Sequence, residues 1–326
     1  MKNFTYFQPE NLKDAAKQLG NNWKDRLLIA GGTDLLGLMK HNLERPDVLI
    51  NLKSIAGLEK IEYLPGKELR IGALTKITDI AEHPVIREKF TALAEAAGQV
   101  ASPQLRNMGT IGGNICQRPR CWYYRGDFNC LRKGGDICFA VEGRNKFHCI
   151  IGGAPCFIVH PSDLAVALQA LEAKLIIFSG KKSKSVAIKD FFVLPDADVY
   201  RENILKPNEI ITEIHIPEPA SGCQSGYLKF QEREVWDFAT VSVGVSIKKN
   251  ANFIETGLVV FGGVAPRPWI EQKISQALTG TILKENTISE LTDICLQDAE
   301  PLEENKYKVV LAKNLLKNLL MRLNNI

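Results

Sequence analysis

The sequence predicts an α+β fold in which two N-terminal lobes precede a smaller α+β C-terminal domain. Residues 1–55 alternate strand, helix and strand, and residues 56–219 mix helical stretches with strands and a hairpin. A short linker at residues 217–222 contains two prolines, a serine and a glycine. We therefore expect one two-lobed domain at residues 1–219 and a second domain at residues 222–326, with a three-stranded sheet and helices.

The elements of the first lobe follow from the spacing of its apolar residues. Residues 9–19 have apolar side chains at helical spacing, whereas residues 27–30 and 47–52 are apolar runs of strand length. The earlier strand ends in two glycines, after which Thr33 or Asp34 is expected to cap a helix. This order predicts a small β-α-β unit.

The second lobe and the C-terminal domain show a less regular alternation of patterns. In the second lobe, Ser162 is expected to cap an alanine- and leucine-rich helix ending at Ala173. The other predicted elements are, in order, a strand at 68–71, helices at 78–81 and 90–100, a hairpin at 174–178 and 185–188, a strand at 210–216, and C-terminal strands at 227–230, 240–248 and 256–261. Three helical stretches complete the chain, the last at 307–323.

Composition excludes several functional classes. The 326 residues are 45% apolar and 24% charged, with a formal net charge of +4. The basic residues are scattered, so nucleic-acid binding is not expected. No apolar run is long enough to span a membrane, and the N-terminus lacks the features of a signal peptide, so we expect a cytoplasmic protein.

Two glycine-rich turns could hold a dinucleotide. Glycines that follow a buried strand let the backbone approach a diphosphate, and the start of the next helix favours its negative charge. Taken alone, the first turn is more often ordinary turn chemistry, and the second is about as often a bulge or bend. Neither turn has the G-x-G-x-x-G fingerprint of a Rossmann domain. The first turn consists of Leu28, Ile29, Ala30, Gly31, Gly32, Thr33, Asp34 and Leu35, and the second of Gly109, Thr110, Ile111, Gly112, Gly113 and Asn114.

A cysteine-rich segment separates the second turn from Ser162. Residues 116–156, called the insert below, contain six of the eight cysteines: Cys116, Cys121, Cys130, Cys138, Cys149 and Cys156. Only Cys116 and Cys121, with four residues between them, have the spacing usual for the paired ligands of structural zinc sites, and no second such pair is present. Soft thiolates also suit iron–sulfur clusters, and the basic and aromatic residues of the insert would offset charge and exclude water. A set of buried free thiols is the remaining alternative.

The two turns, with Ser102-Pro103-Gln104-Leu105-Arg106-Asn107 leading into the second, resemble the FAD-binding subunit of the xanthine dehydrogenase family. The resemblance extends over nearly the whole chain. It implies a two-lobed FAD-binding domain of the PCMH type, with the diphosphate on residues 28–35. FAD would also contact residues 109–114 and Ala101.

The same resemblance implies that Asp163, Ile211 and Lys229 lie near the flavin. Each has an ordinary structural alternative: Asp163 as a first-turn helix acid, Ile211 as a core residue and Lys229 as a surface residue of a strand.

The insert is similar to that of a subset of the family, which includes the flavin subunits of 4-hydroxybenzoyl-CoA reductase and periplasmic aldehyde oxidoreductase. The resemblance implies a [4Fe–4S] cluster. Its ligands would be Cys121, Cys130, Cys138 and Cys156. Cys116 and Cys149 would then be spare, and an exchange of Cys149 for Cys156 is the main alternative.

The resemblance further implies an electron-transfer subunit. A large molybdenum-cofactor subunit would hold the substrate site, and a small [2Fe–2S] subunit would pass electrons to FAD, in a dimer of heterotrimers. NAD or ferredoxin would be the external partner. Two alternatives remain from the sequence, a self-contained flavin oxidase and a non-enzymatic iron–sulfur redox or assembly protein.

Overall fold

The first lobe is built on a three-stranded parallel sheet. The computed structural model describes residues 1–325. The lobe consists of β1 (Thr5–Phe7), α1 (Leu12–Leu19), β2 (Arg26–Ile29), α2 (Leu35–Lys40) and β3 (Val48–Asn51), with strand order β1-β3-β2. The predicted β-α-β unit is confirmed, and β1 is an additional strand. Because β2 leads directly into the first glycine turn, that turn lies at the carboxyl end of a parallel strand.

The second lobe contains a five-stranded antiparallel sheet. Its strands are β4 (Ile61–Leu64), β5 (Glu68–Gly72), β6 (Lys174–Phe178), β7 (Ser183–Ala187) and β8 (Ile210–Pro217), in the order β4-β5-β8-β6-β7. The predicted hairpin is confirmed as the β6–β7 pair. The helices are α3 (Ile77–Glu82), α4 (Pro84–Lys89), α5 (Thr91–Gly98), α6 (Pro103–Arg106), α7 (Ile111–Ile115), α8 (Trp122–Arg125) and α9 (Asp163–Ala170).

Helix α9 lies at the centre of the molecule. The Ser162 hydroxyl accepts a hydrogen bond from the Ala165 N–H, which confirms the predicted cap, although the helix ends at Ala170, before the predicted Ala173. All eight residues of α9 are buried. Such a helix must be covered on every side. It packs against α5 and against the C-terminal sheet, which positions Asp163 at its first turn.

The C-terminal domain has a four-stranded antiparallel sheet and three helices. The elements are β9 (Cys223–Phe230), β10 (Val241–Asn250), β11 (Phe253–Gly262), β12 (Trp269–Ile270), α10 (Gln272–Leu278), α11 (Glu285–Asp293) and α12 (Tyr307–Asn325). The strand order is β12-β11-β10-β9. The prediction of three strands was wrong because it missed β12. The two residues of this strand are too few to produce an alternating pattern. Within residues 1–325, no helix combines the length and the hydropathy of a membrane span.

The insert has little regular structure of its own. Besides α8, it forms one 3₁₀ turn at Leu131–Lys133. The C-terminal domain fixes its far end, where the Asn305 side-chain amide donates to the carbonyls of His148 and Cys149 at 3.2 and 3.1 Å. The Lys308 ammonium also donates to the His148 carbonyl at 2.9 Å. Hydrogen bonds from the side chains of Asn305 and Lys308 therefore hold this end of the insert in place.

Candidate functional site

The first glycine turn connects β2 to α2 and touches the second turn. Gly32 has φ +72°, a conformation that favours glycine. At Gly31, a methyl group in place of the hydrogen would lie 2.1 Å from the Met108 carbonyl oxygen, so only glycine allows this contact. Asp34 occupies the N-cap position of α2, but its side chain makes no capping hydrogen bond. Of the two residues predicted to cap this helix, Thr33 and Asp34, Asp34 therefore does not cap it through its side chain. The missing side chain of Gly31 thus lets the two turns meet.

The second turn is stabilised by a side-chain cap. The Thr110 hydroxyl accepts a hydrogen bond from the Gly113 N–H at 3.2 Å. The Gly112 N–H donates to the Ala73 carbonyl at 2.9 Å, and a Cβ at Gly112 would lie 2.9 Å from the same oxygen. The stretch predicted as a glycine turn therefore includes α7, whose first residues pack tightly on the end of β5.

A cleft of about 1510 Å³ lies between the two lobes. Fifteen of the eighteen residues predicted to contact FAD line it: Leu28, Ala30, Gly31, Gly32, Thr33, Asp34, Leu35, Ala101, Gly109, Thr110, Gly112, Gly113, Asn114, Asp163 and Ile211. Ile29, Ile111 and Lys229 do not. The first two are buried apolar residues of β2 and α7. The structure thus brings together both turns and two residues distant from them in sequence.

Lys229 lies behind the cleft wall and forms a buried ion pair. Its ammonium is 2.8 Å from the Asp163 carboxylate, and the two side chains are 0% and 5% exposed. It also donates to the backbone carbonyls of Gln99 and Asp237. The Tyr227 hydroxyl donates to the other Asp163 oxygen at 2.7 Å. The surface alternative for Lys229 is wrong, and Asp163 is the member of the pair that faces the cleft.

Four of the six insert cysteines converge on one small cavity. Its lining includes Cys121, Cys130, Cys138 and Cys156 but neither Cys116 nor Cys149. The space measures about 10 Å³, so the sulfurs must move apart to admit a cluster. Within the described residues, no three His, Cys, Asp or Glu side chains are grouped as ligands of a single metal ion. The arrangement therefore offers thiol donors around a common centre.

The surroundings of this cavity are aromatic and contain one buried cation. Tyr123, Tyr124, Phe139 and Phe157 contribute to its wall, together with Arg132. Burial raises the pKa of Cys121 to about 11. A hydrogen bond with Cys156 lowers the pKa of Cys138 below its ordinary value.

A second cavity, of about 170 Å³, lies between the cysteine cavity and the cleft. It shares Cys121 and His148 with the cysteine cavity, and Arg120, Asp163 and Phe238 with the cleft. Nε2 of His148 is 3.2 Å from Cys121 Sγ, while its Nδ1 finds no hydrogen-bond partner among residues 1–325. This volume accommodates several waters, at about 10–15 Å³ each.

The basic residues of the insert are mostly paired with carboxylates of the two lobes. The Arg120 and Arg125 guanidiniums lie 3.1 and 2.9 Å from Asp34. Arg118 lies 2.9 Å from Glu44 and 3.0 Å from Glu202. Arg132 also pairs with Glu202. The expectation that these cations mainly offset thiolate charge was therefore incomplete, because nearby carboxylates already bind them.

Seven insert residues that the sequence did not indicate as cleft residues also line the cleft: Cys116, Gln117, Arg118, Arg120, Tyr124, Arg132 and Lys133. Trp236, Asp237 and Phe238, in the loop after β9, complete one side. The Trp236 N–H donates to the Ala101 carbonyl at 3.1 Å. The sequence offered one signal for this loop, which is the presence of Trp236 and Phe238 in an otherwise polar stretch. Both aromatic side chains are exposed in the structure.

A two-lobed cleft with paired glycine turns, followed by an α+β domain, defines a flavin-binding class of protein. The family described as the FAD binding domain in molybdopterin dehydrogenase matches residues 2–219, and the CO dehydrogenase flavoprotein C-terminal domain matches residues 226–323. The chain therefore belongs to the FAD-binding medium subunits of the molybdenum hydroxylase family, and it is an oxidoreductase subunit.

Individual relatives agree over almost the full length. The aldehyde oxidoreductase FAD-binding subunit of Escherichia coli strain K12 is 36% identical, with 98% of each chain covered. The nicotinate dehydrogenase FAD-subunit of Eubacterium barkeri is 30% identical, over 88% of this chain and 83% of that protein. Among solved structures, carbon monoxide dehydrogenase from Hydrogenophaga pseudoflava superposes with a TM-score of 0.77 at 26% identity, covering 98% of this chain and 96% of that chain.

Proposed function

We propose that this chain carries both FAD and a [4Fe–4S] cluster and conducts electrons between a small [2Fe–2S] subunit and NAD or ferredoxin. A large molybdenum-cofactor subunit would hold the substrate site, in a dimer of heterotrimers located in the cytoplasm. The observation that carries the proposal is the selective convergence of Cys121, Cys130, Cys138 and Cys156. The cavity that they line adjoins a second cavity reaching the flavin cleft.

The cleft residues fit FAD. The turn at residues 28–35 would hold its diphosphate, since backbone N–H groups at a helix start favour anions. The turn at residues 109–114 would hold a neighbouring part of the cofactor. Ile211 is 6% exposed and offers an aliphatic surface to the cleft. When bound, FAD supplies the exchange between two-electron and one-electron chemistry. The chain's own residues bind it, orient it and set the charge beside it.

The donor set of the insert fits an iron–sulfur cluster. Four thiols surround a common space, and soft thiolates suit such a cluster. Aromatic side chains exclude water, and Arg132 adds a buried positive charge, both of which influence the reduction potential. Burial lowers the pKa of His148 to about 4, so a neutral imidazole lies beside Cys121 at neutral pH. In its Nε2–H tautomer it donates to the ligand sulfur.

Replacing Lys229 with methionine is expected to lower the midpoint potential of the flavin. The change leaves the Asp163 carboxylate buried without its cation at the cleft wall, and a nearby negative charge disfavours added electrons. Removing one partner of a buried ion pair should also lower the free energy of unfolding by about 3–5 kcal/mol. Dye-coupled redox titration and thermal unfolding measure the two effects.

The double variant Lys229→Met/Asp163→Asn is the matched control for that prediction. It removes both charges and should bring the potential back toward the wild-type value. A Lys229→Met protein with an unchanged potential would show that this pair has no electrostatic influence on the flavin.

Affinity purification of the tagged chain from its native source tests the proposed function. We expect a large chain that contains molybdenum and a small chain with a [2Fe–2S] spectrum to co-purify. The flavin should be reduced when substrate is added to the complex. A lone chain that oxidises a substrate directly at its flavin would contradict the proposal and indicate a self-contained flavin oxidase.

A further inference from the structure

The carboxylate of Asp34 is the point where the insert meets the flavin cleft. It follows Gly31–Thr33 at the start of α2 and lines the cleft. Its oxygens accept hydrogen bonds from the Arg118 N–H at 2.8 Å and from the Arg125 guanidinium at 2.9 Å, and the Arg120 guanidinium lies at 3.1 Å. All three donors belong to the insert. The insert therefore neutralises a negative charge within the proposed diphosphate turn.

This charge matters because FAD brings a diphosphate to the same turn. An acidic side chain beside a diphosphate repels it, and the repulsion is stronger where water is partly excluded. The Asp34 side chain is 15% exposed, so solvent screens it only weakly. Arg120 and Arg125 convert an unfavourable neighbour into an ion-pair group with a net positive charge, because two guanidiniums face one carboxylate. FAD affinity should therefore depend on the two arginines being in place.

The position of these arginines depends in turn on the order of the insert. The segment has only one four-residue helix, α8, and the 3₁₀ turn at Leu131–Lys133, and Arg125 is the last residue of α8. Cys121 immediately precedes α8. A cluster bound through Cys121 would fix the start of this helix, because ligand binding and folding of a metal-binding loop are coupled. Loss of the cluster would release Arg120 and Arg125 from Asp34.

We propose that FAD and the cluster bind cooperatively and that Asp34 is the residue that couples them. This inference rests on the proposed function. With the cluster bound, Arg120 and Arg125 neutralise Asp34 and the diphosphate turn accepts its anion. Without the cluster, the Asp34 carboxylate faces the diphosphate unpaired. By linkage, bound FAD must favour cluster binding by the same factor.

A four-way comparison of FAD dissociation constants tests the coupling. Flavin is removed from the full chain and titrated back by fluorescence, once with the cluster intact and once after its removal by oxidation and chelation. In the wild type, cluster removal should weaken FAD binding about tenfold, within the usual range of coupling between two sites. The Asp34→Asn variant has no carboxylate that cluster removal could expose to the diphosphate. Its FAD dissociation constants with and without the cluster should therefore be nearly equal.

Glu304→Gln is the matched control. Glu304 also holds the insert, accepting hydrogen bonds from the Asn145 and Lys146 N–H groups at 2.8 and 3.3 Å, but it does not line the cleft. Its variant should keep the wild-type ratio between the two dissociation constants. If Asp34→Asn does not fold, Arg120→Gln replaces it. That variant should retain iron and yet bind FAD several-fold more weakly than the wild type does.

The outcomes separate the coupling from the proposed function. A wild type that binds both cofactors with equal FAD affinity in the two states would overturn the coupling alone. The same holds if Asp34→Asn keeps the tenfold ratio, or if Arg120→Gln binds FAD normally. A wild-type chain that contains no iron, or does not bind FAD, would overturn the proposed function and the coupling together.

Discussion

Replacing Gly31 with alanine is expected to abolish FAD binding. The added methyl group would lie 2.1 Å from the Met108 carbonyl oxygen and 2.8 Å from its carbon, and both atoms belong to the backbone. Backbone cannot yield as a flexible side chain does, so the two turns must separate. Overpacking of this kind costs about 1–3 kcal/mol of stability. Because both turns line the cleft, their separation destroys the proposed cofactor site.

Gly37→Ala is the control for that prediction, because it makes the same chemical change in the same segment. Gly37 lies in α2, and a methyl group there meets no atom within 4 Å. The flavin absorbance of the purified proteins gives their FAD content directly. We expect a normal content in Gly37→Ala and almost none in Gly31→Ala. A Gly31→Ala protein with full flavin would show that contact between the two turns is not needed for binding.

Replacing Cys138 with serine is expected to remove the iron from the purified chain. Cys138 lines the common cavity and hydrogen-bonds to Cys156, so two of the four proposed ligands are affected. Serine is a poor ligand for a cluster that prefers soft thiolates. Without the cluster, the insert should become more sensitive to limited proteolysis, because few backbone hydrogen bonds of its own hold it. Iron and sulfide analysis measures the first effect.

Cys116→Ser and Cys149→Ser are the matched controls for the cysteine series. Both residues lie in the insert, but neither lines the cavity, and burial raises the pKa of each thiol above its ordinary range. Their variants should retain iron. If Cys149→Ser loses the cluster while Cys156→Ser keeps it, the ligand assignment is wrong. If no cysteine variant changes the iron content, the insert is a structural loop with buried thiols.

Most elements of the fold were predictable because they depend on patterns among residues that are close together in the sequence. The β-α-β order of the first lobe and the cap at Ser162 are evident from apolar spacing and one hydroxyl. The two-residue strand β12 could not be predicted in this way. It exists because it pairs with Val260 and Phe261 of β11, a tertiary contact that leaves no periodic pattern.

The candidate site was predictable where a motif carries its own chemistry. The glycine turns and the clustered cysteines indicated their regions directly. The contacts of Asp34 were not predictable, because its partners Arg118 and Arg125 are 84 and 91 residues away in the sequence. The burial of Lys229 was equally hidden, since a lysine on a strand is exposed by default and only the fold places Asp163 beside it.

Cofactor analysis of the chain, purified without oxygen, tests the central claim most directly. FAD, iron and acid-labile sulfide are quantified together, and the reduced protein is examined by electron paramagnetic resonance at low temperature. We predict about four iron and four sulfide per FAD, as a [4Fe–4S] cluster requires, with a cluster signal that disappears in Cys138→Ser. A full complement of FAD without iron or sulfide would contradict the account of the insert.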